Sequence, residues 1–382
     1  MINPNSRYCC GCLACKDICP KQAITKTVEE NGFIVPSIDL EKCVDCGLCE
    51  KICDFKKEHN GEPNIQKAYS LKVKDPKVLN ASTSGGAFTA ISDQIFNDGG
   101  IVVGSVMDDN FIVHHEVADK SMVRDLMRGS KYVQSDTDGI FRTIRNILKT
   151  GRKVLFTGSP CQCAALRSYL GEEYKNLIVM DFLCHGVPGN KMFKEHIEFL
   201  EDRYGKQLVS FSFRNKEYGW DSYNNIAELK GGQKKAKLIN QAYYRFFSNN
   251  LSLRQSCYNC PYRSLNRPSD LTMGDFWGIG KLTGKKDNTG VSLILTHSEK
   301  AENLLERCRV DSEIFEYPVS AVLPRVSVEP CRKNKKYERF WETYRHEGYQ
   351  NLVKRFFDES FPKIFRFNIR KIGKKFGLLL GR

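Results

Sequence analysis

Cysteine is the residue type in this chain most able to do chemistry, and its spacing is regular. Cys9, Cys12, Cys15 and Cys19 precede Pro20 in the run C-x2-C-x2-C-x3-C-P, and Cys43, Cys46, Cys49 and Cys53 repeat that spacing. Three thiolates two residues apart can wrap one face of a 4Fe–4S cube, while the fourth reaches across to a second cube. The spacing therefore predicts Cys9, Cys12, Cys15 and Cys53 around one cluster and Cys43, Cys46, Cys49 and Cys19 around another. A pair of zinc sites would instead use CxxC pairs divided by longer spacers. Gly11 and Gly47 fit loops whose backbone N–H groups point at sulfur and moderate its negative charge.

An internal repeat of such runs is the pattern of a two-cluster bacterial-type ferredoxin. The intervening segment AITKTVEENGFIVPSIDL predicts two short strands joined at Asn31-Gly32. Pro20 closes the first run rigidly. Asp54 stands where a second proline is expected, which leaves the ligands intact and alters only the stiffness of that loop.

The second half of the chain holds further cysteines in a looser pattern. Cys161 follows a predicted strand in TGSPCQC, Cys184 ends the next one in DFLCHGVP, and Cys257 and Cys260 form a CxxC. Neighbouring parallel strands end on the same sheet edge, so these four thiolates could converge on a third cluster. The alternatives are buried structural cysteines and, for the CxxC, a zinc half-site or redox pair. Cys163, Cys308 and Cys331 have no partner pattern and default to packing.

His185 follows Cys184 directly and could donate a proton near a redox centre, or be structural. His114 and His115 point to opposite faces of a strand and do not make a joint ligand pair. Ser84, Gly85 and Gly86, in STSGGAF, open a helix and suit either a pyrophosphate or an ordinary cap. Lys131 and Tyr132, in GSKYVQSD, could meet a nucleotide or lie on a surface strand. Asp270 and Asp275, in DLTMGDFWG, could line a cofactor pocket or end a strand.

The elements that must position these residues alternate after a polar linker around KKEHNGEPN. KAYSLKV, IVVGSVM, FIVHHEV, KVLFTG, NLIVMDFL, LVSFSF and VSLILT predict strands, and helices are expected near 86–98, 137–149, 161–170, 190–203 and 299–308. The expected class is α+β or α/β. A small dicluster domain (residues 1–60) would precede a body in two parts (61–145 and 146–325) and a basic helical tail (326–382).

The chain has 382 residues, 41% of them hydrophobic, and a net charge of +14. It has no apolar stretch long enough to span a bilayer, and MINPNSRYCC has no apolar leader. The expectation is a cytoplasmic protein, in which sixteen cysteines are metal ligands more readily than disulfides. No recognition helix or aromatic-basic sheet motif accompanies the charge, so nucleic acid is not an expected partner.

Taken in order, STSGGAF, GSKYVQS, TGSPCQ, CHGVP, SFRNKEYGW, CYNC and DLTMGDFWG resemble the coenzyme F420 hydrogenase/dehydrogenase beta-subunit family, in the variant with an N-terminal dicluster ferredoxin domain. The resemblance spans roughly residues 1–325. It implies a body that binds FAD and passes electrons between iron–sulfur clusters and an organic two-electron substrate, either the deazaflavin coenzyme F420 or another small molecule. It makes Ser84, Gly85, Gly86, Lys131 and Tyr132 candidates for FAD, and Cys161, Cys184, Cys257 and Cys260 candidates for a third 4Fe–4S cluster. Cys163, the extra thiol of PCQC, leaves that ligand set ambiguous. Electrons would enter singly at the dicluster domain and pair on the flavin, with His185 as proton relay.

A redox partner such as a ferredoxin or a hydrogenase or dehydrogenase subunit follows from the same resemblance. The alternative is an electron-transfer subunit with no substrate site of its own. The resemblance does not reach the tail, where Lys363 to Arg382 holds seven basic and no acidic residues. There Phe365, Ile369, Ile372, Phe376 and Leu379 recur at helical spacing. Such a helix would lie on an anionic membrane surface or dock on protein, although Gly373, Gly377 and Gly381 weaken it.

Overall fold

Asn31-Gly32 does turn a hairpin: β1 (Ile24–Val28) and β2 (Ile34–Ile38) pair antiparallel between the two cysteine runs. The computed structural model describes residues 7–369 except 60, 223, 324, 325, 327, 328, 361, 362, 364 and 365. Each cysteine run holds a short helix that carries its third thiol, Ala14–Ile18 with Cys15 and Leu48–Lys51 with Cys49.

The remaining strands are β3 (Lys67–Val73), β4 (Ile101–Met107), β5 (Val113–Ala118), β6 (Val154–Thr157), β7 (Leu177–Phe182), β8 (Leu208–Asn215), β9 (Asn224–Leu229), β10 (Gln233–Lys235), β11 (Leu271–Asp275), β12 (Ser292–Thr296) and β13 (Ser312–Tyr317). Eight of them form one mixed sheet in the order β13-β3-β12-β11-β7-β6-β4-β5. Its centre is parallel, with β11, β7, β6 and β4 running the same way. Both faces of that centre are covered. Val102 and Leu155 pack on one side with the helices Ala87–Asn97 and Glu299–Arg307, whereas Val103 and Phe156 pack on the other with Ile140–Lys149 and Pro160–Leu170. This two-sided burial explains why these strands read as continuous apolar runs.

The structure moves two expected boundaries and sets one strand apart. β3 to β5 and β6 to β13 share one sheet, so the expected division at 145/146 cuts through a single layer, inside the helix Ile140–Lys149. LVSFSF is not in that sheet; β8 pairs with β9 in a separate antiparallel sheet of order β10-β9-β8.

The helix Tyr337–Phe356, placed in the tail by its basic surroundings, is body. Its Phe340, Trp341, Tyr344, Leu352 and Val353 are buried in the same core as Phe33 of the first hairpin. Gly348, at φ 75°, breaks this helix and lets Tyr349 turn back to His196, 2.9 Å away. Of the expected amphipathic tail helix, Phe365 and everything from residue 370 lie outside the described residues, and Ile369 is exposed. Among the described residues no helix is long and apolar enough to cross a membrane.

Candidate iron–sulfur and flavin site

The eight N-terminal thiols line two cavities of about 490 and 470 Å3, counting their open mouths. Cys9, Cys12, Cys15 and Cys53 line the inner one, against the body; Cys19, Cys43, Cys46 and Cys49 line the outer one, beside exposed Leu40, Val44 and Leu48. The fourth cysteine of each run thus lies with the first three of the other. Burial, followed by the neighbouring thiolates of Cys9, Cys53 and Cys49, pushes the Cys15 thiol well above its ordinary value.

Such crowded thiolates need a cationic centre. Among the described residues no group of three or more His, Cys, Asp or Glu side chains could hold a single metal ion. A zinc tetrahedron would hold its sulfurs about 2.3 Å from one point, whereas these thiols surround a space, as a four-iron cube requires. Gly11 shows why glycine stands in the run. At φ +71° its N–H reaches Cys9 Sγ at 3.2 Å, and a Cβ there would meet Ile34 O at 2.5 Å.

The body grips this domain by its backbone. Arg254, fully buried, donates from Nε to Cys9 O (2.6 Å) and from Nη1 to Ile34 O (3.0 Å). Gln134, from the GSKYVQS segment, accepts from Ile34 N at 3.0 Å. Asp17 accepts from Gly139 N, Phe141 N and Arg142 N, capping a body helix that has no side-chain cap of its own. Asp54, the departure from proline, accepts from Tyr262 Oη at 2.8 Å. Its carboxylate is therefore a docking contact two residues from Cys260 in the body's CxxC segment.

Parallel pairing of β6 with β7, and of β7 with β11, brings the body thiols to one sheet edge. Cys161 starts the helix after β6, Cys184 follows β7, and Cys257 and Cys260 arrive on the loop before β11. Burial and then Cys184, Cys260 and Cys161 raise the Cys257 thiol. Burial and then Cys161 and Cys260 raise Cys184, and burial and then Cys161 push Cys260 up to about 11. Cys184, Cys257 and Cys260 thus each lie near enough to Cys161 for its charge to act on them.

Arg267 holds two of their loops together. It donates to Phe182 O (3.2 Å) and Tyr262 O (2.9 Å) while paired with the fully buried Asp181 at 2.9 Å. Cys163, the extra thiol, is fully buried and its Sγ turns to Gly158 O and Met180 O in the core.

The candidate flavin residues fare differently. Ser84 Oγ donates to Val291 O, and Gly85 N to Ser292 Oγ. A Cβ on Gly85 would lie 2.1 Å from Leu71 O, so packing against β3 and β12 already explains that glycine. Lys131 Nζ caps the carbonyls of Met127, Arg128 and Gly129, and burial pushes it down to about 7. The ring of Tyr132 packs on Phe213, Tyr244 and Phe247. The ring nitrogens of His185 are directed at Asn250 Oδ1 (2.7 Å) and Cys331 Sγ (3.6 Å), so no open nitrogen supports the relay role.

Around these residues the structure gathers the other motifs. Ser130 N donates to Thr83 Oγ1, and Lys216 Nζ to Ser84 O. Arg214, whose charge acts on Tyr132, is ion-paired with Asp275 and stands 4.9 Å over the Trp277 ring. Trp277 stacks on Trp220 at 4.5 Å, and Trp220 Nε1 donates to Asp275 Oδ1.

Arg214 adopts φ +51°, a strained state for a side-chain-bearing residue that this network holds in place. SFRNKEYGW and DLTMGDFWG thus meet, and Arg214, Lys216, Trp220 and Trp277 join the candidate site although no spacing singled them out. Cys331 and Cys10 were also missed. Cys331 receives Arg263 Nη1 at 2.8 Å and donates to His185 O at 2.9 Å.

Residues 8–57 match the model of the 4Fe-4S dicluster domain. Comparison with curated proteins gave no match. A structure of the F420-reducing NiFe hydrogenase complex from Methanosarcina barkeri, derivatised with xenon, is similar at 16% identity and a TM-score of 0.46, covering 76% of this chain and 92% of that one. Residues 151–320 match the model for the C terminus of the coenzyme F420 hydrogenase/dehydrogenase beta subunit, so the resemblance read from the ordered motifs stands: one chain joins an iron–sulfur dicluster region to a region of that oxidoreductase family.

Proposed function

We propose that the protein is an iron–sulfur flavoprotein oxidoreductase that works with a ferredoxin or a hydrogenase- or dehydrogenase-type partner on a small organic two-electron substrate, of which coenzyme F420 is one example. The observation that carries this reading is the position of Cys161. It lines the inner N-terminal cavity and lies near enough to Cys184, Cys257 and Cys260 for its charge to raise their thiols, which supports thiol sites that adjoin across the domain boundary. The clusters when bound supply one-electron transfer, and FAD supplies the exchange with a two-electron substrate.

The chain's own residues do the rest. Cys9, Cys12, Cys15 and Cys53 would hold the inner cluster, Cys19, Cys43, Cys46 and Cys49 the outer one, and Cys161, Cys184, Cys257 and Cys260 the third. Arg254, Gln134 and Asp17 keep the N-terminal sites fixed on the body. Tyr132, Arg214, Lys216, Trp220 and Trp277 gather rings and cations of the kind a flat, anionic nucleotide binds. With Ser84 and Gly85 bonded inward, the glycine turn contributes shape and its buried seat rather than those two polar groups.

Iron, acid-labile sulfide and flavin per chain, on protein purified without oxygen, test this reading. About twelve iron, matching sulfide and one FAD are expected. About eight iron with no flavin, even after FAD is added, would overturn the enzyme reading and leave an electron carrier.

A further inference from the structure

The loops that carry the body thiols are tied together by residues outside the candidate ligand set. The turn after Cys184 lies on the CxxC loop: Arg254 N donates to Val187 O at 2.9 Å, and a Cβ on Gly186 would stand 3.3 Å from Cys257 Cβ. Arg263 follows the CxxC, and its backbone N–H donates to Cys260 O at 3.5 Å. Its partly buried side chain then crosses to the Cys184 turn. There Nη1 donates to His185 O at 3.3 Å and to Cys331 Sγ at 2.8 Å.

Cys331 is buried and closes the arrangement from a third segment, beyond the residues that match the beta-subunit model. Its Sγ also donates to His185 O at 2.9 Å. Asn250 fixes the same segment from another side, with Oδ1 2.7 Å from His185 Nε2 and Nδ2 donating to Arg332 O at 3.0 Å. A guanidinium so held cannot swing into solvent without giving up both of its bonds. It is also a permanent charge, because arginine is not deprotonated in proteins. Reduction adds negative charge to a cluster, so a fixed cation nearby favours the reduced form. The Arg263 charge does act on the thiols of Cys184 and Cys260.

We propose that Arg263 is a positioning residue of the body site. Anchored on Cys331 and His185 O, it fastens the Cys184 turn to the CxxC loop and holds a fixed cation beside Cys184 and Cys260. It thereby raises the reduction potential of the body cluster more than those of the two N-terminal clusters. The proposal rests on the third cluster of the proposed function and adds two residues, Arg263 and Cys331, that bind no iron.

The test is an EPR-monitored redox titration, with iron counts, of the full chain and of Arg263→Gln, Arg263→Lys, Cys331→Ala and Cys331→Ser, all prepared without oxygen. The signal missing from Cys184→Ala identifies the body cluster. The expected result is unchanged iron at about twelve per chain. Arg263→Gln should lower the potential of the body cluster most. Arg263→Lys, which keeps the charge without the planar fork, should lower it less. Cys331→Ala should lower it as well, and Cys331→Ser, whose oxygen can still accept, by less than Cys331→Ala.

Three outcomes overturn the proposal: a body potential that stays in place in Arg263→Gln, a fall of equal size in all three clusters, or a fall in Arg263→Lys as large as in Arg263→Gln. If Arg263→Gln loses about four iron, Cys331→Ala decides in its place, because it keeps the charge and removes the anchor. A lower body potential there supports the proposal, and an unmoved one overturns it. Failure of the underlying reading looks different and takes the proposal with it. The unsubstituted chain would then hold about eight iron and show no third signal.

Discussion

The dicluster region and the body site solve one problem, gathering four thiolates, by opposite means. In the first sixty residues a local spacing does nearly all the work: three thiols of each cavity come from one run and the fourth from its repeat, and exposed Val44 and Leu48 line the outer cavity. In the body, cysteines spread from 161 to 260 are carried to one sheet edge because β6, β7 and β11 run parallel and end together. A site carried by spacing can fold around its cluster, whereas a site carried by topology requires the sheet to exist first. The two are then joined by side chains outside the thiol sets, Arg254 and Gln134 from the body and Asp17 and Asp54 from the dicluster region.

The contrast can be broken most severely at the thiols. Cys15→Ala should remove about four iron per chain, and Cys184→Ala about four from the other region, whereas Cys163→Ala, two residues from a proposed ligand, should leave the count intact. Iron analysis of the three variants checks this, and a loss in Cys163→Ala would reopen the ligand assignment.

The join is the next target. Arg254→Ala removes the donors to the carbonyls of Cys9 and Ile34, the latter keeping only Gln134 Nε2 at 3.4 Å from outside its hairpin, and should cost about 2–3 kcal/mol. Urea unfolding followed by far-UV circular dichroism would show it. A shift below 1 kcal/mol would mean that the two regions do not depend on this grip.

A smaller effect separates the body alone. His115 is buried on Phe156, with Nδ1 on Ser135 Oγ and Nε2 at Thr157 O, and burial pushes it down to about 4. Its ordinary value in the unfolded chain is about 6.5, so its contribution is complete above that pH and is lost as pH falls toward 4. Between pH 6.5 and 5 this should remove about 2 kcal/mol. The urea midpoint of the wild type should fall more steeply over that interval than that of His115→Gln, and parallel slopes would contradict the assignment.

How much of this was legible from sequence depended on whether the signal was local. The cavity grouping of the eight N-terminal cysteines follows the same crossed pattern as their spacing, and the hairpin and the helices at 87–97, 160–170 and 190–204 lie within a few residues of where periodicity puts them. The helix Tyr337–Phe356 shows apolar Tyr337, Phe340, Trp341 and Tyr344 at helical spacing, yet its many charges made it look like tail; only the waiting groove beside Phe33 shows that it is core.

β8 has the same alternation whichever sheet receives it, so its placement could not be read. Arg214 was illegible for another reason. Its left-handed backbone and its partners on β11 are products of the fold, and no spacing announces them. Cys10, which also lines the inner cavity, was visible all along, but a pattern that counts four ligands has no place for a fifth thiol.

The grip of Arg254 on Cys9 and Ile34 also has a consequence in time. The dicluster segment leaves the ribosome some two hundred residues before the arginine that fastens it, an interval of about 10–40 s at ordinary rates of synthesis. During that interval the first cysteine run has no body to close against, and if it holds a cluster as proposed its thiols would stand open to the machinery that delivers iron and sulfide. Once residue 254 and the loop bearing Tyr262 have been made, the same cavity acquires a wall. The order of synthesis thus gives cluster delivery its opening before the fold closes over it.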